Sequence, residues 1–205
     1  YNVKLNLKDI QKYLFPLKRM FAKYRQIKSL GQVKNFIQEQ SSLVSQMTLY
    51  GYLKTRMGAK HVLMFEDKDF LNSINIAKWY VYSASLVDCT FFCFSFLYKE
   101  RNFSKTEEAN KVFFEILNTE KVNGMHSEAY ERATKEFNSR YQQINWTNHC
   151  SLKPFEYSSN ELYHWSPIAD ELKKLDKKIV LNSMLLKWNN VQDDFKRLTS
   201  RFNLK

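Results

Sequence analysis

Residues 78–100 read KWYVYSASLVDCTFFCFSFLYKE, and the twenty positions from Trp79 to Tyr98 contain one charged side chain, Asp88. A helix of that length matches the thickness of the hydrocarbon layer of a membrane. A charge near the centre of the bilayer costs about 2.5–3.5 kcal/mol on insertion scales. The segment also contains several serine, threonine and tyrosine residues. We therefore predict that it is the buried core helix of a folded domain and not a membrane span.

The composition favours helices before any pattern is considered. The chain has 205 residues, of which 44% are hydrophobic and 16% aromatic, with four glycines and three prolines. Such a chain is too apolar for disorder and too poor in turn residues for a β-sandwich. Three cysteines, an odd number in a chain of this length, indicate a reducing compartment without a disulfide framework. We predict an all-α fold, an irregular multi-helix bundle.

Basic residues are concentrated in the first half of the chain. The net charge is +11, and residues 1–102 carry 16 basic and 7 acidic side chains against 16 and 14 in the rest. This excess predicts an anionic partner, whether a phosphate backbone, an anionic lipid surface or an acidic protein face. The predicted anion contacts are Lys12, Lys18, Arg19, Lys23, Arg25 and Lys28.

The N-terminal thirty residues predict a basic amphipathic arm. Their apolar residues recur at three- and four-residue steps from Ile10 to Tyr24, which indicates one helix face. Pro16 predicts a kink, or a helix that begins there. Gly31 is a candidate for the end of this helix. We accordingly divide the chain into an arm over residues 1–30 and a helical bundle domain over residues 31–205.

Capping signals and apolar spacing predict the other helices. The next helix should begin near Val33 and end at Gly58, and the carboxylates of residues 66–69 should start the central helix. Ser104 to Glu107 matches a capping box. Ser166-Pro167 predicts the start of a long C-terminal helix of roughly 35 residues, about 50 Å long at helical rise. Two neighbouring apolar rows run along that helix: Ile168, Leu172, Leu175 and Ile179, followed by Trp188, Val191, Phe195, Leu198 and Phe202.

A buried Asp88 requires a partner, because an isolated carboxylate in a core finds a cation or takes up a proton. Arg56 is the predicted partner, with Lys54 and His61 as alternatives. We interpret the pair as a structural ion pair that fixes helix register and not as a catalytic acid.

The segment Leu49-Tyr-Gly-Tyr-Leu-Lys-Thr-Arg-Met-Gly58, followed by residues 64–67 and 73–79, resembles an uncharacterised helical protein family of α-proteobacteria. The resemblance covers about a fifth of the chain. It implies a bacterial cytoplasmic setting or, by descent, a mitochondrial one, on the matrix side or at the inner membrane. Some members of the family carry an esterase label, but this sequence has no Gly-x-Ser-x-Gly elbow.

The motifs of common active sites are missing from the sequence. It has no His-Glu-x-x-His pair, no Cys-x-x-Cys and no phosphate loop. We expect no catalytic residue, metal or cofactor. The preferred prediction is a non-catalytic accessory or scaffold subunit of a larger mitochondrial assembly, of respiratory or ATP synthase type, that contacts other protein subunits. The alternatives are an RNA-binding subunit of an organellar ribosome and a helical hydrolase acting on a lipid or ester.

Overall fold

The computed structural model describes residues 13–20, 26–60 and 66–203, and these residues form an all-α bundle, as predicted. They contain seven α-helices and the short 3-10 helix His149–Ser151, which lies between α5 and α6, and residues 58–60 form a further 3-10 turn. No strand occurs among them. The α-helices are α1 Leu17–Met20, α2 Leu30–Met57, α3 Lys68–Arg101, α4 Glu107–Val122, α5 Ser127–Tyr141, α6 Glu156–Trp165 and α7 Asp170–Leu198.

Helix α3 is the centre of the bundle. Every residue from Ala77 to Leu97 is buried, and α2, α4, α5, α6 and the 3-10 helix all pack against it. By length and composition α3 could cross a membrane, but its most apolar window is completely buried within the fold. A helix that is apolar on all sides requires such an enclosure. The predicted core helix is therefore confirmed.

The start of α3 follows from a local capping interaction. The side chain of Asp67 accepts hydrogen bonds from the backbone amides of Asp69, at 2.9 Å, and Phe70, at 3.0 Å. These amides have no hydrogen-bond partner within the helix, so the carboxylate supplies one. Its negative charge also interacts favourably with the positive end of the helix dipole. The carboxylates between residues 66 and 69 start the helix, as the sequence predicts.

The N-terminal segment packs on the bundle where the structure describes it. Helix α1 begins directly after Pro16, one of the two predicted outcomes, and lasts a single turn. Phe15 is buried, with its ring 4.7 Å from that of Tyr82 on α3. The amide of Ile27 donates to the carbonyl of Leu198 at 2.9 Å, and residues 26–28 are not helical. The described part of residues 1–30 therefore lies on the body of the domain.

Helix α2 begins three residues earlier than predicted, because Ser29 and Gln32 form a capping box at its start. The amide of Gln32 donates to the hydroxyl of Ser29 at 3.3 Å, and the amide of Ser29 donates to the side chain of Gln32 at 3.2 Å. Gly31, predicted as a stop, lies in the first turn of this helix. The capping box predicted at Ser104 does not form, since α4 starts after Thr106 without a side-chain cap.

The long C-terminal helix is confirmed, but it starts later than predicted. Ser166 ends α6 instead of starting α7, and its amide donates to the carbonyl of Leu162 at 3.2 Å. Helix α7 therefore has 29 residues, about 44 Å at helical rise. Its C-terminal half packs into the core, where the ring of Phe195 lies 5.0 Å from that of Phe36.

Candidate functional site

The predicted buried ion pair exists, but with a different cation. Asp88 is fully buried, and its carboxylate accepts from the Arg140 guanidinium at 2.8 Å and from the Ser158 amide at 2.7 Å. Arg56 instead pairs with Asp176 on α7. The prediction of Arg56 as the partner is wrong because α3 is enclosed on every side, and the sequence does not say which neighbour faces Asp88.

The Asp88 site has the geometry of a structural clamp. It joins α3 to Arg140 on α5 and to the first turn of α6, where the Ser158 amide lies. Burial raises the pKa of Asp88, while Arg140 and Ser158 offset part of this effect. Both carboxylate oxygens are occupied by protein donors, and the guanidinium also lies over the ring of Phe91 at 5.1 Å. The arrangement can hold three helices in register.

His149 lies beside this clamp, in surroundings that disfavour its protonated form. Its ring is in contact with Phe91, with 5.8 Å between ring centroids, and its Nε2 atom is buried without a hydrogen-bond partner. Burial, together with the charge of Arg140, lowers the pKa of His149 to about 4. The neutral imidazole is therefore the form that the folded protein accepts.

We expect acidification to destabilise the protein through His149. Between pH 6.5 and about 4 the unfolded chain binds a proton that the folded chain excludes, so stability falls as pH decreases through this window. Because the ring is only partly buried, solvent screening limits the loss to about 1–2 kcal/mol between pH 7 and pH 5. Urea unfolding of the wild type and of His149→Gln at both pH values measures it. His164→Gln, at an exposed histidine, is the control; an unchanged pH response in His149→Gln contradicts the assignment.

The three predicted anion contacts that lie within the described residues differ in exposure. Lys18 and Lys28 are exposed, whereas Arg19 is buried and forms an ion pair with Glu120 at 2.7 Å. Arg19 therefore forms its ion pair within the protein. Its prediction as a contact for an external anion is wrong. The other predicted contacts, Lys12, Lys23 and Arg25, lie outside the described residues.

Glu120 is the centre of a buried polar cluster that the sequence analysis missed. Besides Arg19, its carboxylate accepts from Gln38 at 2.7 Å, from the Tyr82 hydroxyl at 2.8 Å and from Asn123 at 3.1 Å. A signal was available, because Glu120 continues the apolar row of α4 four residues after Ile116. A carboxylate on a core-facing row requires buried donors.

An exposed apolar face runs along α7 from Leu172 to Leu186. Leu175 and Ile179 are 77% and 70% exposed, and Leu172 and Leu186 extend the same row by helical spacing. We call these four residues the α7 leucine row. They belong largely to the first of the two predicted apolar rows, while Trp188 and the rest of the second row within α7 are buried.

Shallow grooves lie on both sides of the α7 leucine row. One, between α2 and α7, has a volume of about 470 Å³ and includes the exposed side chain of Met47 and the backbone of Gly51. An added Cβ at Gly51 would meet no atom within 4 Å, so this groove is open above the helix backbone. The other, between α6 and α7, has a volume of about 380 Å³ and includes Leu185. A ridge with a groove on each side is the form that helices use to pack on one another.

The charge beside the leucine row is positive beyond the acidic first turn of α7, which contains Asp170 and Glu171. Residues 172–187 contain five lysines and one acidic residue, Asp176, which is paired with Arg56. By helical geometry Lys178 lies on one flank of the row and Lys187 on the other. Within the described part of the chain, no group of three or more histidine, cysteine or carboxylate side chains is placed to bind a metal ion.

Comparison with known proteins gives no relative of this chain. No protein-family model matches it, and no curated protein or solved structure matches at a significant level. The resemblance of residues 49–79 to a family of α-proteobacteria therefore stays a prediction. In the structure the described residues of that segment form the end of α2 and the first turns of α3.

Proposed function

We propose that this chain is a non-catalytic helical subunit that joins a larger assembly through the α7 leucine row. The observation that carries the proposal is the exposure of four large aliphatic side chains in one row of a single helix. Burying Leu175 and Ile179 alone against a partner stabilises the contact by about 1.5–3 kcal/mol per side chain. Several exposed apolar side chains on one face of a helix are typical of an interaction site.

The partner best suited to this face is a helix of another protein subunit with an apolar row flanked by Asp and Glu. Lys178 and Lys187 would lie opposite such carboxylates at the rim, where charge directs orientation and association rate. The grooves beside the leucine row accept side chains of an incoming helix, and the open backbone at Gly51 allows close approach.

A mitochondrial assembly of respiratory or ATP synthase type is the proposed setting, with the bacterial cytoplasm as the alternative. This setting rests on the resemblance of residues 49–79 to the α-proteobacterial family. An RNA-binding role remains the alternative function, and Lys18 and Lys28 are the predicted anion contacts that are exposed among the described residues. Affinity for RNA would fall steeply with salt. A hydrolase is a further alternative.

We expect Leu175→Ser combined with Ile179→Ser to release the chain from its assembly without unfolding it. Both side chains are mostly exposed, so their loss changes the free energy of unfolding by less than about 0.5 kcal/mol. Native mass measurement of the complex purified through the tagged chain reports the partner and its loss. Val122→Ser removes an apolar side chain that is 88% exposed on α4, away from this face, and is the matched control.

The control variant should retain the complex. A wild-type chain that is monomeric at micromolar concentration in its native extract contradicts the proposal. So does a double variant that copurifies with its partner as well as Val122→Ser does.

A further inference from the structure

The two parts of α7 are attached to the bundle in different ways. From residue 180 onwards the helix places a side chain in the core at every third or fourth position: Val180, Met184, Trp188, Val191, Phe195 and Leu198. None of residues 170–179 is buried. We call residues 170–179 the α7 strap. It contains three of the four members of the α7 leucine row, so most of that row lies on the part of the helix that has no anchor in the core.

One carboxylate joins the α7 strap to α2. Asp176 pairs through both of its oxygens with the guanidinium of Arg56, and it also accepts a hydrogen bond from the Tyr52 hydroxyl at 2.9 Å. We call these three residues the Asp176 clasp. The side chains of Arg56 and Asp176 remain 29% and 13% exposed, so the clasp lies at the surface of the bundle and buries no apolar group of the strap.

Two lysines join the α7 strap to α6 on its other side. The ammonium group of Lys173 donates to the backbone carbonyl of His164 at 3.1 Å. The ammonium group of Lys177 lies 5.5 Å from the ring centroid of Tyr163. Neither lysine meets a carboxylate of another helix in these contacts. Among the described contacts, the Asp176 clasp is therefore the ion pair that links the strap to the bundle.

The sequence of the α7 strap does little to stabilise a helix by itself. Lys173 and Lys177 are like charges at i,i+4 spacing, as are Lys174 and Lys178, and such pairs destabilise a helix. The acidic residues of the first turn offset part of this effect through the helix dipole. A helix as short as the strap is marginal in water, where isolated helices need about 12–15 residues. The strap is helical because it continues the anchored part of α7 and because its polar contacts hold it.

We propose that the α7 strap opens locally while the rest of α7 stays in the core, and that the Asp176 clasp sets how often it opens. Segments that bury few apolar side chains belong to the least stable parts of a fold and open without global unfolding. Leu172, Leu175 and Ile179 form one row only while the strap is helical. The clasp thereby regulates how much of the leucine row is in register for a partner. This regulatory consequence rests on the proposed function, whereas the opening itself does not.

Amide hydrogen exchange on the purified full chain, followed residue by residue by NMR at pH 7, tests the opening. The amides of residues 174–179, which follow the unpaired first turn of α7, are compared with those of residues 188–195 in the anchored part of the same helix. Each rate is divided by the intrinsic rate of that amide in an unfolded chain. We expect residues 174–179 to exchange about a hundredfold faster than residues 188–195, because opening the strap exposes no core side chain.

Arg56→Met tests the clasp, because it removes the cation from α2 and leaves the sequence and intrinsic exchange rates of α7 unchanged. We expect exchange of residues 174–179 to accelerate about three- to fivefold, the effect of losing a surface ion pair, while residues 188–195 keep their wild-type rates. Lys54→Met, at an exposed lysine on the same turn of α2, is the matched control. It should leave the exchange of both segments as in the wild type.

Three outcomes overturn the proposal. In the first, residues 174–179 of the wild type exchange as slowly as residues 188–195. In the second, Arg56→Met accelerates exchange of the strap no more than Lys54→Met does. In the third, Arg56→Met accelerates both segments equally, which indicates a global effect and not a local one. The chain is measured without a partner, so failure of this test leaves the docking role of the leucine row standing, and loss of that role leaves the exchange result standing.

Discussion

Replacing Arg140 with methionine should lower the free energy of unfolding by about 4 kcal/mol at pH 7. The change leaves Asp88 fully buried without its cation, and removal of one partner of a buried ion pair typically costs 3–5 kcal/mol. The carboxyl group can escape part of this cost by taking up a proton. Forcing protonation at pH 7 costs about 4 kcal/mol for a group whose unfolded pKa is near 3.9, which sets the upper limit of the loss.

Because Asp88 can take up a proton, the loss of stability in Arg140→Met depends on pH. In Arg140→Met the folded pKa of Asp88 lies further above its unfolded value, so the folded state binds the extra proton and stability falls as pH rises through that interval. The deficit relative to wild type should therefore shrink to about 2 kcal/mol at pH 5. Urea unfolding followed by circular dichroism at the two pH values measures both quantities.

Arg56→Met is the control for this experiment because Arg56 was the partner that the sequence predicted. Its pair with Asp176 lies at the surface of the groove between α2 and α7, and such exposed pairs contribute little to stability. Asp88→Asn combined with Arg140→Met should cost less than the sum of the single changes, since the pair is removed together. A larger loss in Arg56→Met than in Arg140→Met contradicts the observed pairing.

The fold class was predictable because the residues of the α3 segment alone limit the structures that this segment can adopt. A run of twenty apolar and small residues interrupted by one carboxylate leaves two structures, a membrane span or an enclosed core helix, and the cost of Asp88 in lipid favours the second. Asp67 and its neighbours likewise identify the start of α3 locally. Capping and apolar runs depend on residues close in the chain, so one sequence is enough to read them.

The partners of buried charges were not predictable in the same way. Asp88 and Arg140 are 52 residues apart, and Arg19 and Glu120 belong to α1 and α4. The identity of each pair depends on how whole helices are rotated against one another. On α7, spacing identified two apolar rows, but only the tertiary structure shows that one is buried around Trp188 and the other exposed at Leu175.

Replacing Glu120 with alanine is the second change expected to have a large effect, about 3–5 kcal/mol in the free energy of unfolding. It leaves the buried guanidinium of Arg19 without its carboxylate and removes the acceptor of Gln38, Tyr82 and Asn123. For a chain of about 200 residues this corresponds to a fall in Tm of roughly 10 °C.

The effect of Glu120→Ala should differ from that of Arg140→Met in its pH response. An arginine side chain does not lose its proton in proteins, so the stranded charge of Arg19 has no escape by titration. The deficit should therefore vary little between pH 5 and pH 7, where Arg140→Met recovers about 2 kcal/mol. Differential scanning calorimetry at both pH values distinguishes the two cases.

Glu115→Ala is the matched control for Glu120→Ala, because Glu115 lies on the same helix and forms an exposed ion pair with Lys34. Its loss should cost less than about 1 kcal/mol. Adding Arg19→Met to Glu120→Ala should restore part of the lost stability, since the uncompensated charge is then removed and an apolar side chain replaces it beside the ring of Phe15. If Glu120→Ala is no more destabilising than Glu115→Ala, the carboxylate does not hold α1 to α4 as its four short contacts indicate.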